Sequence, residues 1–291
     1  MKQMMPEAAA RPVSYVMDDG VKIVGEAFGD PAAPGVLLTH GGGQTRYAWS
    51  RVARRLGEAG WHAVAIDLRG HGESDWDAAA DYTLPRYARD IAAVAQQGFA
   101  APPVLVGASL GGNSGLLAAG KVAPEAIRAL VLVDITPKID LAGVDRILGF
   151  MGKHLDEGFA SYEEASDAIA AYLPERRGRK SNAASLARYL RPRPDGRLAW
   201  HWDPAFITGR RSSRLKEETV EMLEQALAAV PGPVLLVRGS NSDLVNDESV
   251  AHFLEIAPKA RFRDVTGAGH MIVGDRNDVF AEVLDEFLDG L

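Results

Sequence analysis

Short apolar runs alternate with helical repeats along the first half of the chain. The runs at 35–39, 62–67 and 129–133 are dominated by apolar residues, which is typical of strands buried on both faces of a sheet. Segments 46–58 and 84–97 lie between them and carry apolar residues at helical spacing. This alternation predicts an α/β fold with a mostly parallel, doubly wound sheet that has helices on both faces.

Both ends of the chain add to this predicted sheet. Residues 13–17 and 21–28 are β-like and are joined by an Asp-Asp-Gly turn, which predicts a hairpin. Two strands and two helices are predicted near the C-terminus, at 234–237, 248–256, 261–265 and 277–288. The sheet domain is therefore expected to occupy residues 1–136 and 228–291.

Segment 137–227 lacks the pattern of a buried strand. Its helical stretches lie at 144–154, 161–172, 182–190 and 215–227. The pair Asp195-Gly196 lies in an irregular piece, 191–202, and predicts a turn between two short extended arms. Because an insertion after a parallel strand leaves the sheet at the edge where sites form, we expect this segment to be a helical cap over the active site.

The sequence Gly107-Ala108-Ser109-Leu110-Gly111 follows an apolar strand and precedes a helix. It fits the pattern G-x-S-x-G, in which a serine occupies a strained strand-to-helix turn and glycines stand where side chains would crowd it. Such a turn presents Ser109 Oγ at the edge of the sheet and aims the Leu110 N–H toward the same place. We therefore predict that Ser109 is a nucleophile and that Leu110 donates to an oxyanion.

A serine nucleophile needs a base, and the base needs an acid that orients it. His270 follows the last strand in a Thr-Gly-Ala-Gly-His loop, whose glycines allow a close approach to Ser109, so His270 is the predicted base. Asp134 ends the strand before the insertion, and Asp243 lies in the loop after the strand that follows it. The order Ser-Asp-His holds for both carboxylates. The loop position favours Asp243 as the acid, with Asp134 as the alternative.

The His-Gly-Gly-Gly loop at 40–43 follows the first long buried strand. Three successive glycines let backbone N–H groups converge on a developing oxyanion, so Gly42 is the predicted second donor and Gly43 the alternative. A charged loop, Asp-Leu-Arg-Gly-His-Gly-Glu-Ser at 67–74, is expected to be structural, with its arginine and histidine holding neighbouring backbone.

Basic and aromatic residues mark the insertion. Segment 174–214 contains eleven lysines and arginines against three acids, which could attract an anionic substrate or form a solvated exterior. The aromatic residues Trp200, Trp202 and Phe206 are candidates for lining a substrate pocket, and packing of the cap would account for them equally well.

Composition excludes several kinds of protein. The chain of 291 residues has no cysteine, which excludes disulfides, zinc–thiolate sites and cysteine nucleophiles. Its net charge of −7 argues against a nucleic-acid partner, and no metal-binding motif is present. The first twelve residues lack the apolar stretch of a signal peptide, and no run has the length of a membrane span. We therefore expect a cytoplasmic protein without membrane association.

Taken together, the motifs at 40–43, 67–74 and 107–111, followed by Asp243 and His270, resemble the α/β-hydrolase superfamily. The chain is most similar to the cap-bearing branch, which includes small carboxylesterases, lactonases, cofactor-free perhydrolases and epoxide hydrolases, with the cap between the sixth and seventh core strands. The resemblance implies a triad of Ser109, Asp243 and His270, with Gly42 and Leu110 in the oxyanion hole. It further implies a small-molecule ester or lactone substrate and no cofactor.

Departures from that branch narrow the chemistry. Epoxide hydrolases and haloalkane dehalogenases carry an aspartate where this chain has Ser109, which argues against both activities. The C–C hydrolases use serine, but they usually have Gly-Pro-Gly where this chain has Gln44-Thr45-Arg46, which weakens that alternative. Perhydrolysis and a role as a small-ligand receptor with little turnover stay open, and the sequence does not indicate an oligomeric state.

Overall fold

A computed structural model describes residues 9–172, 186–212, 217–269 and 277–291. The described strands of its main sheet are β1 (Arg11–Val16), β2 (Lys22–Phe28), β3 (Gly35–Thr39), β4 (His62–Ile66), β5 (Val104–Ala108), β6 (Ala129–Val133), β9 (Val234–Gly239) and β10 (Arg261–Val265). These eight strands lie in the order β1-β2-β4-β3-β5-β6-β9-β10. A separate hairpin contains β7 (Leu190–Pro192) and β8 (Leu198–Trp200).

The central strands are parallel and buried on both faces. Every residue of β4 and β6 is buried, as their apolar sequences predict. Strand β3 pairs in parallel with β4 and β5, and β6 pairs in parallel with β5 and β9, whereas β2 is antiparallel to both β1 and β4. The predicted mostly parallel sheet is confirmed. Its carboxyl ends bring the loops after β3, β5, β6 and β9 to one edge.

Helices cover both faces of this sheet. The described α-helices are α1 (Ser50–Glu58), α2 (Leu84–Gly98), α3 (Leu110–Leu117), α4 (Leu141–Met151), α5 (Tyr162–Tyr172), α6 (Pro204–Ser212), α7 (Glu217–Ala229), α8 (Asp247–Ile256) and α9 (Asn277–Asp289). Helix α1 buries Val52, Ala53 and Leu56 at the spacing that the sequence predicts. Within the described ranges, no helix combines the length and apolarity that crossing a membrane requires.

The chain between β6 and β9 contributes no strand to the main sheet in its described parts. Its hairpin turns at Asp195-Gly196, where Gly196 has a φ of 81° and its N–H donates to Arg193, as the Asp-Gly pair predicts. Residues 182–185 of the helix predicted at 182–190 lie outside the described residues, and the described remainder contains a turn at 187–189 that leads into β7. The limits of the cap, 137–227, stay a prediction.

Candidate active site

Ser109 occupies a strained turn between β5 and α3. Its φ of 47° and ψ of −113° lie in a region that non-glycine residues rarely adopt. A methyl group on Gly107 would lie 2.6 Å from the carbonyl oxygen of Gly111, and one on Gly111 would lie 2.7 Å from that of His40. The two flanking residues therefore have to be glycine, which is the geometry expected of the G-x-S-x-G turn.

The loop at residues 40–43, called here the oxyanion loop, passes directly over this serine. A methyl group on Gly41 would lie 3.3 Å from Ser109 Cβ. The Gly41 N–H donates to Gln44 Oε1 at 2.9 Å, and the Gly43 N–H is likewise occupied by a side-chain acceptor. Among the described residues, none accepts a hydrogen bond from the N–H groups of Gly42 and Leu110. These are the two groups predicted to bind the oxyanion.

Asp134 lies at the end of β6 and is fully buried. Its φ of 52° makes it one of the few non-glycine residues here with a left-handed backbone. Its Oδ1 accepts from the Gly239 N–H at 3.0 Å and its Oδ2 from Ser242 Oγ at 2.6 Å. These contacts hold a carboxylate rigidly at the edge of the sheet where β6 and β9 end.

Asp243 is the predicted acid, and its side chain has a different environment. It is 37% exposed and forms an ion pair with Arg146 of helix α4 at 3.1 Å. The Ser242 hydroxyl, one residue before Asp243, donates to Asp134. Both carboxylates are therefore close to the loop that follows β9. His270 lies outside the described residues, and its place in the triad stays a prediction.

The aromatic candidates lie on or behind the oxyanion loop. A methyl group on Gly42 would lie 3.3 Å from Phe206 Cζ, and one on Gly43 would lie 3.4 Å from Trp202 Cζ3. Trp200 stacks on Trp202 with 4.6 Å between ring centroids. All three aromatic side chains are buried. Phe206 and Trp202 border the loop that covers the serine, and their contact with substrate stays a prediction.

Comparison with known proteins identifies the family. A family model described as the alpha/beta hydrolase family matches residues 36–283. The chain belongs to the α/β-hydrolase family. It is 33% identical over 257 residues to a 3-hydroxybutyrate-oligomer hydrolase of Cupriavidus necator, covering 84% of this chain and 85% of that one. It is also 29% identical to an esterase of Mycobacterium tuberculosis, with 89% and 84% of the two chains covered.

Solved structures agree on the fold. The structure of an E-2-(acetamidomethylene)succinate hydrolase matches with a TM-score of 0.79 at 24% identity, covering 96% of this chain and all of that one. An α/β hydrolase from Novosphingobium aromaticivorans matches with a TM-score of 0.80 at 24% identity, with 98% and 99% covered. The relatives of this α/β hydrolase are esterases and other hydrolases, which supports hydrolase activity.

Buried ion pairs hold the 67–74 loop of this α/β hydrolase in place. Asp67 is fully buried, accepts from the Arg46 N–H at 2.7 Å and pairs with the Arg46 guanidinium. Arg69 is also fully buried and holds Asp90 and Asp77 at 2.8 and 2.9 Å. The arginine binds carboxylates, whereas the sequence predicts that it holds neighbouring backbone.

His40 connects this loop to the oxyanion loop. Its Nε2 accepts from the Leu68 N–H at 2.9 Å, so the ring proton is on Nδ1, which donates to the Gly41 carbonyl at 2.7 Å. The Gly41 carbonyl belongs to the same peptide as the Gly42 N–H. Since the two groups of a trans peptide point in opposite directions, this bond turns the Gly42 N–H away from His40.

His71 holds the next peptide of the oxyanion loop. Its Nε2 accepts from the Gly43 N–H at 3.2 Å, and its Nδ1 donates to the Arg69 carbonyl at 3.0 Å. The sequence predicts that this histidine holds neighbouring backbone, but nothing in the sequence indicates that the peptide it binds is 28 residues away.

His201, in the segment before α6, is the third histidine that contacts the oxyanion loop. Its Nδ1 accepts from the Gly72 N–H at 2.7 Å, so its proton is on Nε2, which faces the Gly43 carbonyl at 3.4 Å. Burial is the main cause that lowers the pKa of His201 to about 3, and the neighbouring His40 adds to the effect. Burial also lowers the pKa of His40. Both imidazoles are neutral at pH 7.

The depressed pKa of His201 predicts a loss of stability in acid. Unfolded histidine titrates near 6.5, so between about pH 6 and pH 4 the unfolded chain binds a proton that folded His201 does not. The stabilisation is complete above the unfolded pKa and is lost as pH falls toward the folded one. Urea denaturation should show that the free energy of unfolding falls more steeply in wild type than in His201→Asn, by about 1.4 kcal/mol per pH unit. If the free energy of unfolding falls with the same slope against pH in wild type and in His201→Asn, buried His201 is not neutral in the folded protein.

Proposed function

We propose that this α/β hydrolase cleaves a small-molecule carboxylic ester or lactone through an acyl-enzyme on Ser109. One observation supports this most directly. The strained serine lies beneath a glycine loop, and the N–H groups of Gly42 and Leu110 have no acceptor among the described residues. A nucleophile beside two unoccupied backbone donors is the arrangement that acyl transfer requires.

In the proposed reaction, Ser109 Oγ attacks the ester carbonyl carbon while His270 takes the hydroxyl proton. The carbonyl oxygen becomes an oxyanion and accepts hydrogen bonds from the Gly42 and Leu110 N–H groups. The C–O bond then breaks, and His270 returns the proton to the leaving alcohol. Water repeats the sequence on the acyl-enzyme and releases the carboxylic acid.

The acid that orients His270 is one of two carboxylates. The sequence favours Asp243, whereas the described contacts favour Asp134, because an orienting acid has to be rigid and shielded from water. Asp134 is fully buried and accepts two hydrogen bonds, while the Asp243 side chain is 37% exposed and paired with Arg146. We therefore place Asp134 first and Asp243 second.

The substrate is proposed to be an oxygen ester with an acyl group small enough to lie beside Phe206. A methyl group on Gly42 would already lie 3.3 Å from Phe206 Cζ, so there is little room on that side of the loop. The relative from Cupriavidus necator is named for hydrolysis of 3-hydroxybutyrate oligomers, whose repeating bond is an oxygen ester. Short hydroxyacid esters are thus the first compounds to test.

The proposal is tested by labelling and by turnover. A fluorophosphonate probe should label the wild-type protein at Ser109, as located by peptide mass spectrometry. A panel of p-nitrophenyl acetate, butyrate and octanoate, the 3-hydroxybutyrate dimer, a γ-lactone and an anilide should show fastest turnover among the short esters. Labelling with a single turnover would favour a receptor. Peroxide-dependent bromination of a dye in acetate, without ester hydrolysis, would favour perhydrolysis.

A further inference from the structure

We propose that His201 is a positioning residue through which the segment at 198–206 sets the geometry of the oxyanion hole. This inference rests on the proposed function and adds a condition to it. The hole is complete only when this segment, which comes from the insertion, is docked on the oxyanion loop.

Three consecutive peptides of the oxyanion loop are each held by one imidazole. His40 binds the carbonyl of the Gly41–Gly42 peptide, His71 binds the N–H of the next peptide, and His201 faces the Gly43 carbonyl of the third. In each ring the second nitrogen bonds to backbone of the 67–74 loop. Two of the rings come from the core, and only His201 comes from the insertion.

The direction of the His201 contact is fixed. Because the Gly72 N–H donates to Nδ1, the proton has to be on Nε2, and Nε2–H is then a donor toward the Gly43 carbonyl. Protonation, or the tautomer with its proton on Nδ1, would set a donor against the Gly72 N–H. Burial keeps the ring neutral, since the side chain is only 2% exposed.

The segment that carries His201 is itself anchored to the core. The Asp203 N–H donates to the Gly70 carbonyl at 2.9 Å, and the Asp203 carboxylate accepts from the Tyr82 hydroxyl at 2.5 Å. The Arg191 guanidinium donates to the Gly72 carbonyl. These bonds place the imidazole against the loop without any contribution from substrate, so its effect should be on the chemical step.

Three variants test the contributions of the two His201 nitrogens separately. In His201→Asn the amide oxygen takes the place of Nδ1 and keeps the acceptor for Gly72. In His201→Gln the terminal amide takes the place of Nε2 and keeps the donor toward Gly43, whereas His201→Leu removes both. Phe159→Leu is the matched control, because Phe159 is buried in the same part of the insertion and its ring packs against Trp200, away from the loop.

The measurements are kcat, KM and Tm with p-nitrophenyl acetate, and Ki for a phenylboronic acid, whose adduct with Ser109 places an oxygen in the hole. A displaced donor can cost about 10²-fold in rate, so His201→Leu should lower kcat by about 10- to 100-fold with KM changed less than about threefold. The boronic acid should bind more weakly by a similar factor. His201→Gln should recover more of kcat than His201→Asn, and Phe159→Leu should lower Tm with kcat nearly unchanged.

Three outcomes would overturn the inference. They are an unchanged kcat in folded His201→Leu or His201→Asn, a rise in KM alone, and equal loss of kcat in Phe159→Leu. Wild-type turnover and labelling of Ser109 are measured in the same series. If these hold while the His201 variants are fully active, the inference fails and the proposed function stands. If wild type neither turns over nor labels, both fail.

Discussion

Replacing Ser109 by alanine is expected to lower kcat for ester hydrolysis by about 10⁶-fold, to the level left by the oxyanion donors alone. Alanine removes the oxygen that forms the acyl-enzyme but keeps the Cβ that packs beneath Gly41. That Cβ would lie 3.3 Å from a methyl group built on Gly41. The main chain already tolerates a φ of 47° at this position. Circular dichroism and Tm should therefore match wild type while turnover and fluorophosphonate labelling are lost.

Ser114→Ala is the matched control for this variant. Ser114 is fully buried in the same helix, α3, and its Oγ has no hydrogen-bond partner in the described parts of the chain. Removal of that oxygen should leave kcat within about twofold and should not lower stability, because no bond is broken. Turnover retained by Ser109→Ala, or lost in Ser114→Ala, would place the nucleophile elsewhere.

The parts of this fold that the sequence predicts are those that local chemistry determines. The β6 run has to be buried on both faces because it has no polar residue, and it is. Gly107 is required by a contact with the backbone of Gly111, four residues along the chain, so the requirement is visible as a motif. The Asp195-Gly196 turn is local in the same sense.

Element ends were harder to predict where a side chain or a packing contact decides them. Helix α4 begins three residues before the predicted start at Val144, because the Asp140 carboxylate accepts from the Ala142 N–H at 2.8 Å and caps the helix. After Leu117, helix α3 continues as a π-helical turn at Ala118–Val122, in which Gly120 packs against the backbone of Ala226.

The parts of the site that the sequence does not predict depend on contacts between distant segments. His201 is separated from Gly72 by 129 residues, and nothing in its own sequence context indicates an imidazole that holds backbone. The sequence does not decide which carboxylate orients His270, because that too depends on contacts between distant segments. Asp134 and Asp243 both follow sheet strands in the right order, and only burial and hydrogen bonding distinguish them.

Asp134→Asn is expected to lower kcat by about 10⁴-fold, because an amide in place of the carboxylate would favour the wrong tautomer of the base. The Gly239 N–H, which now donates to Oδ1, can keep an amide oxygen as its acceptor. The amide nitrogen would then face Ser242 Oγ, which now donates to Oδ2 and already accepts from the Leu244 and Val245 N–H groups. The Ser242 hydroxyl would lose its acceptor, so a lower Tm is expected beside the loss of kcat, and both are measured.

Asp243→Asn is the matched comparison, since it makes the same chemical change one residue after Ser242, which bonds to Asp134. It breaks an ion pair with Arg146 in which the partners are 57% and 37% exposed, and such pairs contribute about 1 kcal/mol or less. We expect kcat within about fivefold of wild type, because an exposed carboxylate paired at the protein surface is not available to hold an imidazole in one orientation. Steady-state kinetics on the two variants, with Tm as the test of folding, decides between them. If Asp243→Asn loses activity while Asp134→Asn keeps it, the acid is Asp243, and the buried carboxylate at the end of β6 serves only to hold the loop after β9.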